Sequence, residues 1–139
     1  MAIIWRAKDR VLRREVMAGS DFGGRSLDRA KLFDLDLRRK RFAGASLRGA
    51  DLTAADLREC DLRGADLTGA FLTGARLRGA DLRDAKLDGT YLIATEAEGS
   101  LLAGASLRGV IWDQATKWPV SFEPPRPKVG LWHGVRGDD

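Results

Sequence analysis

Residues 55–89 read ADLRECDLRGADLTGAFLTGARLRGADLRDAKLDG. A leucine stands at every fifth position of this stretch: Leu57, Leu62, Leu67, Leu72, Leu77, Leu82 and Leu87. Backward, the same phase runs through Leu52, Leu47, Phe42, Leu37, Leu32 and Leu27 to Phe22. Forward, it runs through Leu92, Ala97, Leu102 and Leu107 to Trp112. Two residues before most of these sits a small residue, as in Ala45, Ala50, Ala55, Cys60, Ala65 and Ala70. A helix would scatter such leucines around its whole circumference, and a strand needs a period of two. A chain that turns a corner every five residues meets the pattern. In each short extended segment the leucine and the alanine two before it point inward, and the leucine's neighbours point out.

The outward identities agree. Before the leucine stand Asp51, Asp56, Asp61, Asp66 and Asp81; after it stand Arg48, Thr53, Arg58, Arg63, Thr68 and Arg83. The next position is often glycine, as in Gly44, Gly64 and Gly74, which supplies the permissive backbone of a corner. A fixed short period of this kind is the mark of a repeat architecture. The chain resembles the pentapeptide-repeat family, whose motif is A(D/N)Lxx, over roughly two-thirds of its length. The resemblance implies an all-β fold, a right-handed quadrilateral β-helix with four pentapeptides per coil and non-repeat caps at both ends. Residues twenty apart would then stack at about 4.8 Å, giving a rod of about 20–25 Å.

On this reading the chain is a single domain, 1–139, with an N-terminal cap at 1–20, the β-helix at 21–113 and a Pro-rich cap or tail at 114–139. Phe42, Leu62, Leu82 and Leu102 form one core ladder. In the first segment Ile3, Ile4 and Trp5 make a short apolar start, and Val11, Leu12, Val16 and Met17 recur at helical spacing. A short helix and an irregular first coil both fit. Pro119, Pro124, Pro125 and Pro127 make the tail extended, and Trp118, Phe122 and Trp132 are available to close the rod's end. Arg25, Leu35 and Lys40 occupy slots where later units carry alanine. Regular geometry is therefore expected only from about Phe42, with Arg25 and Lys40 reaching solvent or distorting the first coil. Ala97 replaces a core leucine and leaves space for Leu77 or a tail aromatic.

No catalytic constellation is present, and no enzyme, cofactor, metal site or small-molecule substrate is expected. His133 is the only histidine, and it has no cysteine near it to build a ligand set. The glycines are corner residues at period five, not a phosphate-binding loop. The lone Cys60 fits a small buried slot and a reducing, cytoplasmic setting. The short apolar start breaks at Arg6, which argues against a secretory signal, and no apolar run reaches the length of a membrane span.

The formal net charge is +4. The outward positions between Asp21 and Gln114 sum to about −2, so the excess is mainly N-terminal and does not form a basic groove. The run Arg38, Arg39, Lys40, Arg41 is a candidate basic patch. It lacks the aromatic interleaving of a nucleic-acid site and reads as a solvated strand and corner. Some proteins of the family protect DNA gyrase by mimicking DNA, and a gyrase or topoisomerase modulator is the alternative reading. It requires acidic faces, and these are nearly neutral.

The sharper signal is apolar. Stacking at period twenty puts Phe71, Tyr91 and Ile111 in one outward line with Ile93 beside them, a contiguous patch that marks contact. A covering by the chain's own tail, a homodimer and a different protein partner are all open. The reading is thus a non-catalytic interaction protein that presents a rigid surface to another protein.

Overall fold

The computed structural model describes residues 7–127. Helix α1 covers Ala7–Ala18. From Asp21 the chain winds in coils joined by parallel β-bridges between residues twenty apart. The four columns start at Asp21, Ser26, Lys31 and Asp36 and continue as Asp21↔Arg41↔Asp61↔Asp81↔Leu101 and its three counterparts. Each coil therefore has four sides of five residues. The fourth column ends on Glu96↔Lys117, so one extra residue enters the last corner.

One pentapeptide accounts for all its amides. In Asp61–Ala65 the Asp61 N–H donates to Lys40 O (3.1 Å) in the preceding coil. The Leu62 and Gly64 N–H groups donate to Asp81 O (2.8 Å) and Arg83 O (2.9 Å) in the next coil. The Ala65 N–H closes the corner on Leu62 O (3.1 Å), a type II turn with Gly64 at φ +66°. The Arg63 N–H is left over, and it donates to Asp61 Oδ1 at 3.2 Å. The same bond recurs from Arg38, Thr53, Arg58, Thr68 and Arg83 to the aspartate two residues before each. Aspartate before the leucine is thus an acceptor for the one amide that the coil stack cannot use.

The interior is a column of apolar side chains on each side. Phe42, Leu62 and Leu82 are fully buried, and the Phe22 and Phe42 rings stack at 5.4 Å. Leu102, at the rod's end, is only partly buried. Small slots accept a donor where it meets a carbonyl: Cys60 Sγ lies 2.9 Å from Leu37 O, and Thr95 and Thr116 donate to Leu72 O and Leu92 O at 2.7 Å. Burial pushes the Cys60 thiol up to about 12, far from a reactive thiolate.

The first coil corrects the sequence reading. The bridges are regular from Asp21, a full coil before Phe42. Arg25, Leu35 and Lys40 do not distort the coil: Arg25, which reaches solvent, and Lys40 meet α1 and its end, and Leu35 enters the core. Arg25 pairs with Glu15 at 2.7 Å and lies over Phe22, and Leu35 is buried. Lys40 Nζ donates to the carbonyls of Met17 and Gly19 at the helix's C-terminal end. The α1 residue Val16 is buried in the core with Leu12 against it, while Val11 and Met17 are exposed. Arg13 donates to Lys31 O (2.8 Å) and Phe33 O (3.1 Å), two carbonyls of an otherwise open strand edge. The apolar start Ile3, Ile4 and Trp5 lies outside the described residues.

Eight described non-glycine residues have positive φ, Ala54 (φ 57°) among them. Ala54→Gly should therefore raise stability by about 0.5–1 kcal/mol in denaturant titration, since the native backbone there suits only glycine without strain. Asp61→Ala should cost about 1 kcal/mol in the same assay, and Asp61→Asn, which keeps the acceptor, much less.

Candidate protein-contact face

The third side of the coil brings the apolar candidates together. Asp51↔Phe71↔Tyr91↔Ile111 are successive bridge partners. The Phe71 and Tyr91 rings stack with centroids 4.9 Å apart and planes 6° from parallel. Phe71 is 42% exposed, and Tyr91, Ile93 and Ile111 are half-buried. Here the side gives up the aspartate bond: with Phe71 and Tyr91 in the aspartate position, the N–H groups of Thr73 and Ile93 meet no acceptor among the described residues. The sequence supplied the stacking line but not this exchange, which needs the hydrogen-bond register to be seen.

The described part of the tail runs to the rod's end. Trp118 meets Trp112 edge-on at 5.6 Å and stacks on Phe122 at 5.2 Å, and Trp112 Nε1 donates to Pro125 O at 2.9 Å. Trp118 follows Ala97 in its column and packs against the core, so a tail aromatic takes up the place Ala97 leaves. Trp132 and His133 lie outside the described residues. An open hollow of about 450 Å³ at the same end is lined by Leu101, Leu102, Pro119, Val120 and Phe122. The period alone gave no sign of it, because it arises where the coil stack stops.

The basic run is dispersed. Arg38 pairs with Asp36 at 2.7 Å, Arg39 with Glu59 at 2.8 Å, and Lys40 is turned to the end of α1; Arg41 is exposed. The remaining charges form a zipper. Arg58, Arg63 and Arg83 each grip the aspartate two residues before them at 2.6–2.8 Å. Arg38 and Arg63 also reach the next coil, to Asp56 (3.7 Å) and Asp81 (3.8 Å). Hydrogen bonds from these arginines hold the carboxyls of Asp36, Asp56, Asp61 and Asp81 below the usual carboxylate range. Among the described residues no three His, Cys, Asp or Glu converge as metal ligands, and no helix is long and apolar enough to cross a membrane.

Comparison with known proteins agrees with this geometry. The family model for pentapeptide repeats matches residues 26–64 and 55–92 in eight copies. A pentapeptide repeat protein of Nostoc is 34% identical, over 82% of this chain and 87% of that one, with a TM-score of 0.38. The chain belongs to the pentapeptide-repeat family. A second pentapeptide-repeat structure, from the Arabidopsis thaliana thylakoid lumen, is 32% identical with a TM-score of 0.52. The alignment covers 70% of this chain and spans 64% of that one. A plasmid-mediated fluoroquinolone resistance protein is 20% identical over 68% of this chain and 58% of its own, with a TM-score of 0.33. No curated protein matches.

The lowered aspartate values set a pH window for this pentapeptide-repeat coil. Their stabilisation is complete above the ordinary aspartate value of about 4, and it is lost as pH falls from there through the lower folded values. Thermal unfolding followed by circular dichroism should give a midpoint that is flat from about pH 5 to 8 and falls below about pH 4. A variant with Asp61→Asn and Asp81→Asn should lose part of that acid dependence.

Proposed function

We propose that this chain is a non-catalytic interaction protein whose working part is the side carrying Phe71, Tyr91, Ile93 and Ile111. The carrying observation is the exchange on that side. Three successive coils place Phe71, Tyr91 and Ile111 where the repeat's own chemistry favours aspartate. Two amides go without their acceptor as a result, and an aromatic pair stands half in water. A purely structural rod gains there only the stacking of one aromatic pair, which the amide bonds of aspartate or asparagine would match. A contact surface gains a pre-organised apolar ladder that loses little entropy on docking.

The proposal takes the rod as a right-handed quadrilateral β-helix in one domain, with 1–20 and 114–139 capping residues 21–113, acting in the cytoplasm. Its partner is a protein, and neither nucleic acid nor a membrane. The reading as a DNA mimic acting on gyrase or topoisomerase is opposed by the arginine on each of Asp36, Asp56, Asp61 and Asp81, which cancels the charge a phosphate mimic must present.

A photo-crosslinking amino acid placed at Ile93, with the same residue at Thr68 on the adjacent side as control, tests this in cells. Protein adducts from position 93 and few from position 68 support the contact side. Equal labelling at both, or none at 93, contradicts it.

A further inference from the structure

We propose that the hollow at the rod's end is a docking site for the chain's own residues Gly130–Gly134, which lie as one more strand over Ser100–Gly104. The inference goes beyond the contact face, which is a different side of the coil, and the two stand or fall separately.

The edge over Ser100–Gly104 is unfinished. One coil below, the Leu82 and Asp84 N–H groups donate to Leu101 O (2.8 Å) and Ala103 O (3.0 Å), and Ala80 O accepts from the Leu101 N–H (2.9 Å). In the last coil the N–H groups of Leu102 and Gly104 meet no acceptor among the described residues, and Ser100 O receives no backbone amide from them. The core column stops in the same place. Phe22, Phe42, Leu62 and Leu82 are at most 4% exposed, whereas Leu102 is partly buried and Leu101 beside it is 49% exposed. An unpaired, partly apolar edge is a template for a further strand.

The chain cannot supply that strand by winding straight on. Lys117 bridges Glu96, so the next segment in phase is Ser121–Pro125. That phase puts Glu123 in the core slot. It also puts Pro125 at the corner, where Gly64 and Gly104 have positive φ and proline's ring holds φ near −65°. The chain leaves the coil instead: Glu123 is exposed, and Pro125 O accepts from Trp112 Nε1 at 2.9 Å.

Beyond the described residues the pentapeptide register returns. Gly130, Leu131, Trp132, His133 and Gly134 repeat the order of Ser100, Leu101, Leu102, Ala103 and Gly104: small, outward, core, outward, glycine. In this register Trp132 continues the core column onto Leu102, Leu131 stacks outside on Leu101, and Gly134 takes the corner above Gly104 (φ +75°). The Leu102 and Gly104 N–H groups donate to Leu131 O and His133 O, and the Leu131 N–H donates to Ser100 O. The Trp132 indole enters the hollow of about 450 Å³ between Leu102 and the wall of Pro119, Val120 and Phe122. The five steps from Pro125 to Gly130 reach up to about 17 Å, as far as a fully extended five-residue side. A strand tethered at that distance has an effective concentration on the order of millimolar, which favours it over a second copy or a foreign strand. Once paired, the edge is closed to strand addition by other chains.

Amide hydrogen exchange on the full chain, read by NMR, tests the pairing. The Leu102 and Gly104 amides should be protected roughly a hundredfold over an unstructured chain. Trp132→Ala should speed their exchange by roughly tenfold or more and leave Leu62 and Gly64 in mid-rod unchanged, which shows that the coil still folds. Register is read from disulfides in a Cys60→Ala background. Leu101→Cys with Leu131→Cys, outward neighbours about 5 Å apart, should close within one chain, and Ile111→Cys with Leu131→Cys should not. Unprotected Leu102 and Gly104 amides, or protection indifferent to Trp132→Ala, overturn the proposal. So does equal closure of both cysteine pairs, the mark of an undocked tail. A Leu101→Cys/Leu131→Cys disulfide that forms only between chains assigns the strand to a second copy and overturns it as well.

Discussion

The whole molecule depends on one constraint: a chain that changes direction every five residues must still pair its backbone amides along the stack. Two amides reach forward to the next coil, one reaches back, one closes the corner, and one remains. The remaining amide explains the aspartate, as the corner explains the glycine and the interior explains the leucine and alanine. Each identity in the motif answers one demand of the coil. The rod needs no large globular core, because each coil buries its apolar residues against its neighbours and the bonds between coils run the length of the stack.

Two sets of departures from the motif contrast, among others such as Arg76 and Lys86 in the aspartate slot. Arg25, Leu35 and Lys40 violate the small slot at the start of the rod, where there is no earlier coil. There they meet Glu15, the core, and the terminal carbonyls of α1. These substitutions have structural partners. Phe71 and Tyr91 violate the aspartate slot in mid-rod, with bridged coils on both sides, and Ile111 does so in the last coil. Phe71 and Tyr91 stack on each other and leave two amides without acceptors. Their gain is an exposed apolar line, which the proposed function assigns to contact.

Much of the fold was legible because the period is an unusually direct signal. The inward leucines, the small slots and the glycine corners followed from spacing and side-chain direction, and the coil of four pentapeptides came from the family resemblance. The start of the regular coil was misplaced because a charged residue in an inward slot reads as a defect until its partner is visible. Lys40's partners are carbonyls of Met17 and Gly19, which no residue pattern announces. By sequence the aspartates stand out only as outward charges two residues before an arginine or threonine. Asp61 does pair with Arg63 and Asp81 with Arg83, but the aspartates' bonds to backbone amides are set by register and not by charge. The apolar line was legible as a stack. That it costs the side two hydrogen bonds was not.

The central claim is that the aromatic pair serves contact and not the stability of the coil. Its most direct test is the thermal unfolding of Phe71→Asn/Tyr91→Asn, measured on the isolated chain at sub-micromolar concentration, where association does not contribute. Asparagine keeps the acceptor of the A(D/N)Lxx motif without adding charge. The account predicts a midpoint equal to or above that of the native chain, because the two regained hydrogen bonds offset the lost stacking. A fall equivalent to more than about 2 kcal/mol would show that the pair holds the rod together, and would contradict the account.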